Sequence, residues 1–289
     1  MDSVSRPVLP FAEIMVTQSC NLSCHGCTNY SDIAHKGYLT WEEGRREIEP
    51  WLERVSIPDF GILGGEPLMN PDIRNWITGL RDILPDSQIR FTTNGILLAQ
   101  NFDIVDLLHE IGNVVFKIAV HEHNTELERT IQRVLDKFEW QEVVEFGVKR
   151  LKTTNNFRYH IRRPDVFYKT FVGPYQDMRP HNSDPADAFN ICCQQTCPLL
   201  YNGKLYKCST NGSLADTLSK FNNPNYAEWE PYLIDGLSPM CSDEQLNQFL
   251  NNFGKPHAVC RSCPTVKDTA SSIIHLENVS RKKLIPLNT

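Results

Sequence analysis

Eight residues restrict this chain more than any other stretch: Cys20-Asn21-Leu22-Ser23-Cys24-His25-Gly26-Cys27. An apolar run over residues 11–17 precedes them and reads as a strand. The three cysteines therefore occupy the loop leaving that strand. Three thiolates from one loop can hold three irons of a 4Fe–4S cluster, leaving the fourth iron without a ligand there. An open metal position marks a catalytic site, as a closed one marks a structural site. Two plainer readings stand beside this one: a zinc knuckle with His25 as fourth ligand, and three buried thiols.

Composition narrows the setting. A chain of 289 residues, 40% hydrophobic, can form one large domain or one domain plus a small one. The formal net charge of -6 lacks a general nucleic-acid footprint. No apolar run approaches the ~20 residues of a spanning helix, and residues 1–7 lack a signal-peptide core. The expected location is cytoplasmic, with neither membrane nor nucleic acid as partner. Thiols stay reduced there, so the ten cysteines are expected to be metal ligands or redox groups rather than disulfides. Cys20, Cys24 and Cys27 form one group and Cys192 onward another, which suggests two separate metal sites.

Strand and helix signals alternate along the first half. Thr40 and Glu43 form a capping box for a helix to about residue 55, with a kink expected at Pro50. A strand over 60–63 runs into Gly64-Gly65-Glu66-Pro67; Asn70 as N-cap and Pro71 as first residue open a helix to about 84. A strand over 88–92 ends in Thr93-Asn94-Gly95, and a helix over 103–111 stops at Gly112. A strand over 114–120 ends in His121-Glu122-His123, and Thr125 caps a helix to about 138. Two more strands are expected over 143–148 and 157–161. The class is α/β, with a parallel sheet and right-handed crossovers. In such sheets ligands bind at the ends where the strands lead into loops, and each motif named here follows a strand. Eight residues between 148 and 157 are too few for a helical crossover. Either those two strands pair antiparallel or one of them is absent.

The later cysteines also form a pattern. Asn202-Gly203 is a strong two-residue hairpin turn. Counting back from it sets Cys197 opposite Cys208, close enough to share a metal centre. Cys260-Arg261-Ser262-Cys263 adds two more ligands. Structural zinc is the alternative occupant.

The first cysteine spacing resembles the CxxxCxxC signature of the radical S-adenosylmethionine (radical SAM) enzymes. Gly26 departs from the aromatic residue usual before the third cysteine of that family. Residues 64–67 match the family's GGEP motif, and Thr92, Thr93 and Asn94 match its third-strand ending. The resemblance implies a partial (β/α) barrel over 11–163, with Cys20, Cys24 and Cys27 on a 4Fe–4S cluster. It also implies Gly64, Gly65, Glu66, Thr93, Asn94 and His121 as contacts for S-adenosylmethionine. A linker over 164–190 leads to residues 191–270, which resemble the twitch or SPASM subdomain that holds an auxiliary 4Fe–4S cluster. Gly203 and Cys208 fit its Gly-x4-Cys element and Cys260 and Cys263 its CxxC. For the remaining ligand, hairpin geometry favours Cys197, while the family gap suits Cys192 or Cys193, with Cys193 as the alternative.

The implied chemistry is reductive cleavage of S-adenosylmethionine, formation of a 5′-deoxyadenosyl radical and abstraction of a hydrogen atom from a small substrate, with net oxidation. An external one-electron donor such as flavodoxin or ferredoxin is implied. Arg158, His160 and Arg162 share one face of a strand by period two, and an inward face would suit an anionic substrate. The alternatives are modification of a peptide side chain and a non-catalytic zinc-binding interaction protein. No catalytic side chain is identified by the sequence.

Overall fold

Apolar strands alternating with one-sided helices build a sheet whose loops gather at one end. The computed structural model describes residues 6–24, 26–33, 36–122, 124–145, 148–164, 166–265, 273–275 and 280–281. His25 and His123 lie outside the described residues. The first strands are β1 (Ala12–Met15), β2 (Leu22–Ser23, inside the cysteine loop), β3 (Asp59–Leu63), β4 (Gln88–Thr93) and β5 (Val114–Ala119). Between and after them come α1 (Trp41–Leu52), α2 (Ile73–Ile83), α3 (Asp103–Ile111) and α4 (Thr125–Lys137). Next are β6 (Gln141–Glu145), β7 (Val148–Lys152), β8 (Phe157–Arg162) and β9 (Val166–Tyr168). The second half adds α5 (Pro185–Ile191), β10 (Leu199–Tyr201), β11 (Lys204–Tyr206), α6 (Ser209–Lys220), α7 (Tyr226–Trp229) and α8 (Asp243–Asn251). Short strands β12 (Ile273–His275) and β13 (Ser280–Arg281) pair with β9 and β2.

The main sheet has nine strands in the order β11-β10-β1-β3-β4-β5-β8-β7-β6. The six from β10 to β8 run parallel. Antiparallel β11 flanks them at one edge and the β7–β6 hairpin at the other. Among the described residues no hydrogen bonds join the two edges, so this is a partial barrel, open along one side. One core runs between sheet and helices, with Trp51, Trp76, Phe60, Phe91 and Phe116 buried in it. A second core forms around Phe171, Met178, Leu214, Leu218 and Trp229. It takes in Tyr30, three residues past Cys27, and so anchors the cysteine loop to α6 and α7.

Several expectations are corrected by tertiary contacts. Asn70 does not cap α2. A 3₁₀ turn, Pro67–Met69, intervenes, and the helix begins at Ile73 with Asp72 at the N-cap. The Asn70 Oδ1 still accepts from Asp72 N–H at 2.8 Å, so it holds the turn just ahead of the helix, while its amide N–H₂ donates to the carbonyls of Val16 and Leu39. Asn124 rather than Thr125 caps α4, because its side chain accepts from the backbone N–H groups of Glu126 and Leu127. The single strand expected over 143–148 falls instead on two antiparallel strands, β6 and β7. β7 is antiparallel to β8, which removes the need for a helical crossover. The hairpin β10–β11 is not a unit apart from the barrel. β10 pairs with β1 and extends the parallel sheet.

Candidate active site

Three strand-end loops are laced together at the open end of the sheet. The backbone N–H groups of Gly65 and Glu66 donate to the carbonyls of Thr17 and Ser19, both at 2.8 Å. Asn29 donates to the Gly64 carbonyl at 3.0 Å, and Asn94 to the Asn21 side chain at 2.7 Å. A Cβ on Gly65 would stand 2.2 Å from the Ser19 oxygen, and one on Gly64 2.5 Å from the Thr17 oxygen. Only glycine permits this approach, which presses the Gly64–Gly65 backbone against the cysteine loop.

The loops rim a cavity of about 270 Å³. Cys20, Cys24 and Cys27 line it, facing Gly64, Gly65, Thr93 and Asn94. His121, Lys117 and Arg162 complete the opposite wall. Thus all the residues expected to contact the cofactor line one cavity except Glu66. That carboxylate is fully buried beneath the wall. It accepts hydrogen bonds from Thr93 Oγ1 at 2.6 Å, Asn94 N at 2.7 Å and Leu68 N at 3.0 Å. Burial pushes its pKa up to about 7 against the pull of these three donors. Burial and the charges of Arg162 and Lys117 push His121 down to about 4, so the ring is neutral near pH 7. Gly26 adopts φ +75°, and its open face abuts the backbone of Lys169.

Arg162 reaches the cavity, whereas Arg158 does not. Both face inward, but Arg158 lies four residues nearer the closed end of β8 and donates to Gln88 Oε1. Lys117 was not singled out by sequence reasoning. Its signal is one charge within the apolar strand Val114-Val115-Phe116-Lys117-Ile118-Ala119, which marks an inward face meeting something polar.

The second cysteine group departs from the hairpin expectation. Cys192, Cys193, Cys208, Cys260 and Cys263 line one pocket, and Cys193 also lines the larger cavity. Burial and neighbouring thiols push Cys192 up to about 11 and Cys208 up to about 12. Cys197 is elsewhere, beside Glu13, Arg90 and Lys117 in a separate pocket within the sheet. The register that would pair it with Cys208 stops at Leu199 and Tyr206, and Cys208 turns away to cap α6. The thiol pocket shares Thr28, Tyr168 and Cys193 with the larger cavity, so the two adjoin. Among the described residues, no three His, Cys, Asp or Glu side chains are arranged to hold a single metal ion. Thiolates that ligate different irons of one cluster stand farther apart than ligands of one ion. The donor set suits a cluster: at least three cysteine thiols line each cavity.

Residues 14–157 match the family model described as the Radical SAM superfamily. The chain belongs to the radical SAM superfamily. Membership implies binding of a 4Fe–4S cluster and S-adenosylmethionine, and the cysteine loop and glycine backbone of this cavity fit both. Similar curated proteins are GTP 3′,8-cyclases. That of Aquifex aeolicus is 28% identical over 130 residues, 44% of this chain and 39% of the relative. That of Acidothermus cellulolyticus is 31% identical over 106 residues, 34% of this chain and 29% of the relative. The Clostridium perfringens protein is 25% identical over 224 residues, 73% of this chain and 62% of the relative. The chain thus spans less than two thirds of the length of these relatives. Among solved structures, BtrN in complex with AdoMet and 2-DOIA is similar, with TM-score 0.48 and 13% identity over 95% of this chain and 100% of BtrN. Streptococcus suis SuiB bound to precursor peptide SuiA has TM-score 0.39 and 13% identity over 93% of this chain and 70% of that one. No helix among the described residues is long and apolar enough to cross a membrane.

Beneath the radical SAM cavity, Glu13 on β1 is 9% exposed and its pKa is pushed up to about 8 by burial, against Lys117 and Arg90. The folded chain therefore holds a proton that the unfolded chain releases near pH 4.5. Its stabilising effect is complete below that pH and is lost as pH rises through about 8. Relative to Glu13→Gln, the wild type is expected to lose on the order of 4 kcal/mol of unfolding free energy between pH 4.5 and 8.5. Urea denaturation of both proteins across that range checks it. Parallel pH profiles for the two would contradict a buried, protonated Glu13.

Proposed function

We propose that this radical SAM enzyme oxidises a small, anionic molecule, with an auxiliary 4Fe–4S cluster on Cys192, Cys208, Cys260 and Cys263. One observation carries the reading: a pocket lined by Cys192, Cys193, Cys208, Cys260 and Cys263 adjoins the cavity rimmed by Cys20, Cys24 and Cys27. Bound there, a reduced 4Fe–4S cluster and S-adenosylmethionine would supply hydrogen-atom abstraction, and the auxiliary cluster would accept the electron left on the substrate. The chain's own part is to position and to enclose. The cysteine loop leaves one iron open, and the Gly64–Gly65 carbonyls offer acceptors to the cofactor's ammonium. Glu66 acts from beneath, by holding Thr93 and Asn94 in place. An external flavodoxin- or ferredoxin-like donor supplies the first electron. The cyclisation named for the curated relatives is not carried to this chain, since the matches span only part of their lengths.

The test is anaerobic iron and sulfide content, together with product analysis. Roughly eight irons are expected in wild type and roughly four in a Cys20/Cys24/Cys27→Ala variant, which forms no 5′-deoxyadenosine. Cys192→Ala also falls to roughly four irons, keeps cofactor cleavage and loses the oxidised product, whereas Cys197→Ala keeps roughly eight. Zinc without iron after reconstitution would end the radical reading. Isomerisation without oxidation of the substrate would remove the auxiliary electron acceptor.

A further inference from the structure

Two cations line one cavity wall, and among the described residues neither is in an ion pair. Lys117 lies within β5 and Arg162 at the end of β8. The parallel register pairs Lys117 with His160 and Ala119 with Arg162, so alternation turns these side chains to one face. Lys117 and Arg162 both line the cavity rimmed by the cysteine loop. Among the described residues, neither side chain makes a hydrogen bond or an ion pair. Their neighbours are matched: Arg90 with Asp59, Arg163 with Glu128, and Arg158 with Gln88.

The field at this wall is that of unanswered positive charge. Arg162 lowers the proton affinity of both Lys117 and His121. Glu13, the carboxylate that acts on Lys117, keeps its proton up to about pH 8 and brings little countercharge near neutrality. Like charges on a half-enclosed wall destabilise the free chain and become favourable once an anion joins them.

We propose that Lys117 and Arg162 form a subsite for a phosphate group carried by the molecule that enters this cavity. A phosphate brings nearly two negative charges and several acceptor oxygens, which matches a guanidinium fork beside an ammonium. A single carboxylate would leave one cation unanswered. This assignment names the substrate class for the site of the radical reading and rests on that reading for which cavity is the active one.

The test is calorimetric titration of the full, cluster-loaded chain with inorganic pyrophosphate, and separately with S-adenosylmethionine. Wild type is compared with Lys117→Gln/Arg162→Gln and with Arg162→Gln alone, whose exposed side chain can change without disturbing the core. Pyrophosphate binding is expected to weaken at least about tenfold in the double variant and less in the single one. Cofactor affinity stays within about threefold. Equal pyrophosphate affinity in all three proteins, or none in wild type, would overturn the subsite. A loss of cofactor affinity with pyrophosphate unchanged would also overturn it, by giving the two cations to the cofactor's carboxylate. Wild type that binds pyrophosphate through both cations but never binds S-adenosylmethionine would remove the radical reading and leave the phosphate subsite standing.

Discussion

Gly65→Ala is expected to lose the iron of the first cluster and to lower cofactor cleavage by about a hundredfold or more. The added Cβ meets Ser19 O at 2.2 Å, Ser19 C at 2.6 Å and Cys20 Cβ at 2.9 Å. The first two are backbone atoms, so no rotamer change makes room. The loops must part, which breaks the Gly65-to-Thr17 and Glu66-to-Ser19 hydrogen bonds. Overpacking costs about 1–3 kcal/mol and each lost buried bond about 1 kcal/mol. The total comes to roughly 3–5 kcal/mol of unfolding free energy. The functional loss exceeds the stability loss because Cys20 itself is displaced. Iron content, 5′-deoxyadenosine formation and a urea midpoint measured on one preparation separate the two effects. Iron and cleavage at wild-type levels would show that the two loops are not locked as described.

Glu66→Ala has the second large effect, and it arises from satisfaction rather than sterics. Two donors, Thr93 Oγ1 and Leu68 N, share Oε1, while Asn94 N uses Oε2. Truncation leaves all three without this acceptor in a fully buried place. Stranded donors cost about 1–3 kcal/mol each, partly relieved by water, so a loss of roughly 4 kcal/mol is expected. Glu66→Gln keeps an oxygen for the Oε1 pair but sets its amide N–H₂ against Asn94 N–H. It is expected to lose roughly half as much. Because Asn94 also holds Asn21 in the cysteine loop, both variants should bind S-adenosylmethionine more weakly, alanine the more so. Unchanged cofactor affinity in Glu66→Ala would show that the carboxylate serves folding alone.

Much of the first site was legible because its signals are local. A strand, a turn and a helix are set within a dozen residues. CxxxCxxC, GGEP and Thr93-Asn94-Gly95 each follow a strand of a parallel sheet, so they had to meet at one end of it. The capping box at Thr40 formed as expected for the same reason. The errors also have a common cause. Asn70 and Thr125 carry good capping chemistry, but Asn70 accepts from Asp72 N–H in a turn ahead of the helix while its N–H₂ ties down Val16 and Leu39, and Asn124, one residue before Thr125, caps Glu126 and Leu127.

The chain's sequence by itself determined the class of the fold, the placing of three cysteines on the loop after the first strand and the glycine turn that faces them. Each depends on spacing along a few residues. Only the tertiary structure decided that Cys192 and Cys193, not Cys197, share a pocket with Cys208, and that Lys117 and Arg162 face one cavity while Glu66 is buried behind it. Those outcomes depend on β10 pairing with β1 from nearly two hundred residues away, on Cys208 leaving its hairpin to start α6, and on which height of β8 meets the cavity. Local periodicity gives the face on which a side chain lies. The packing of distant segments decides what that face meets.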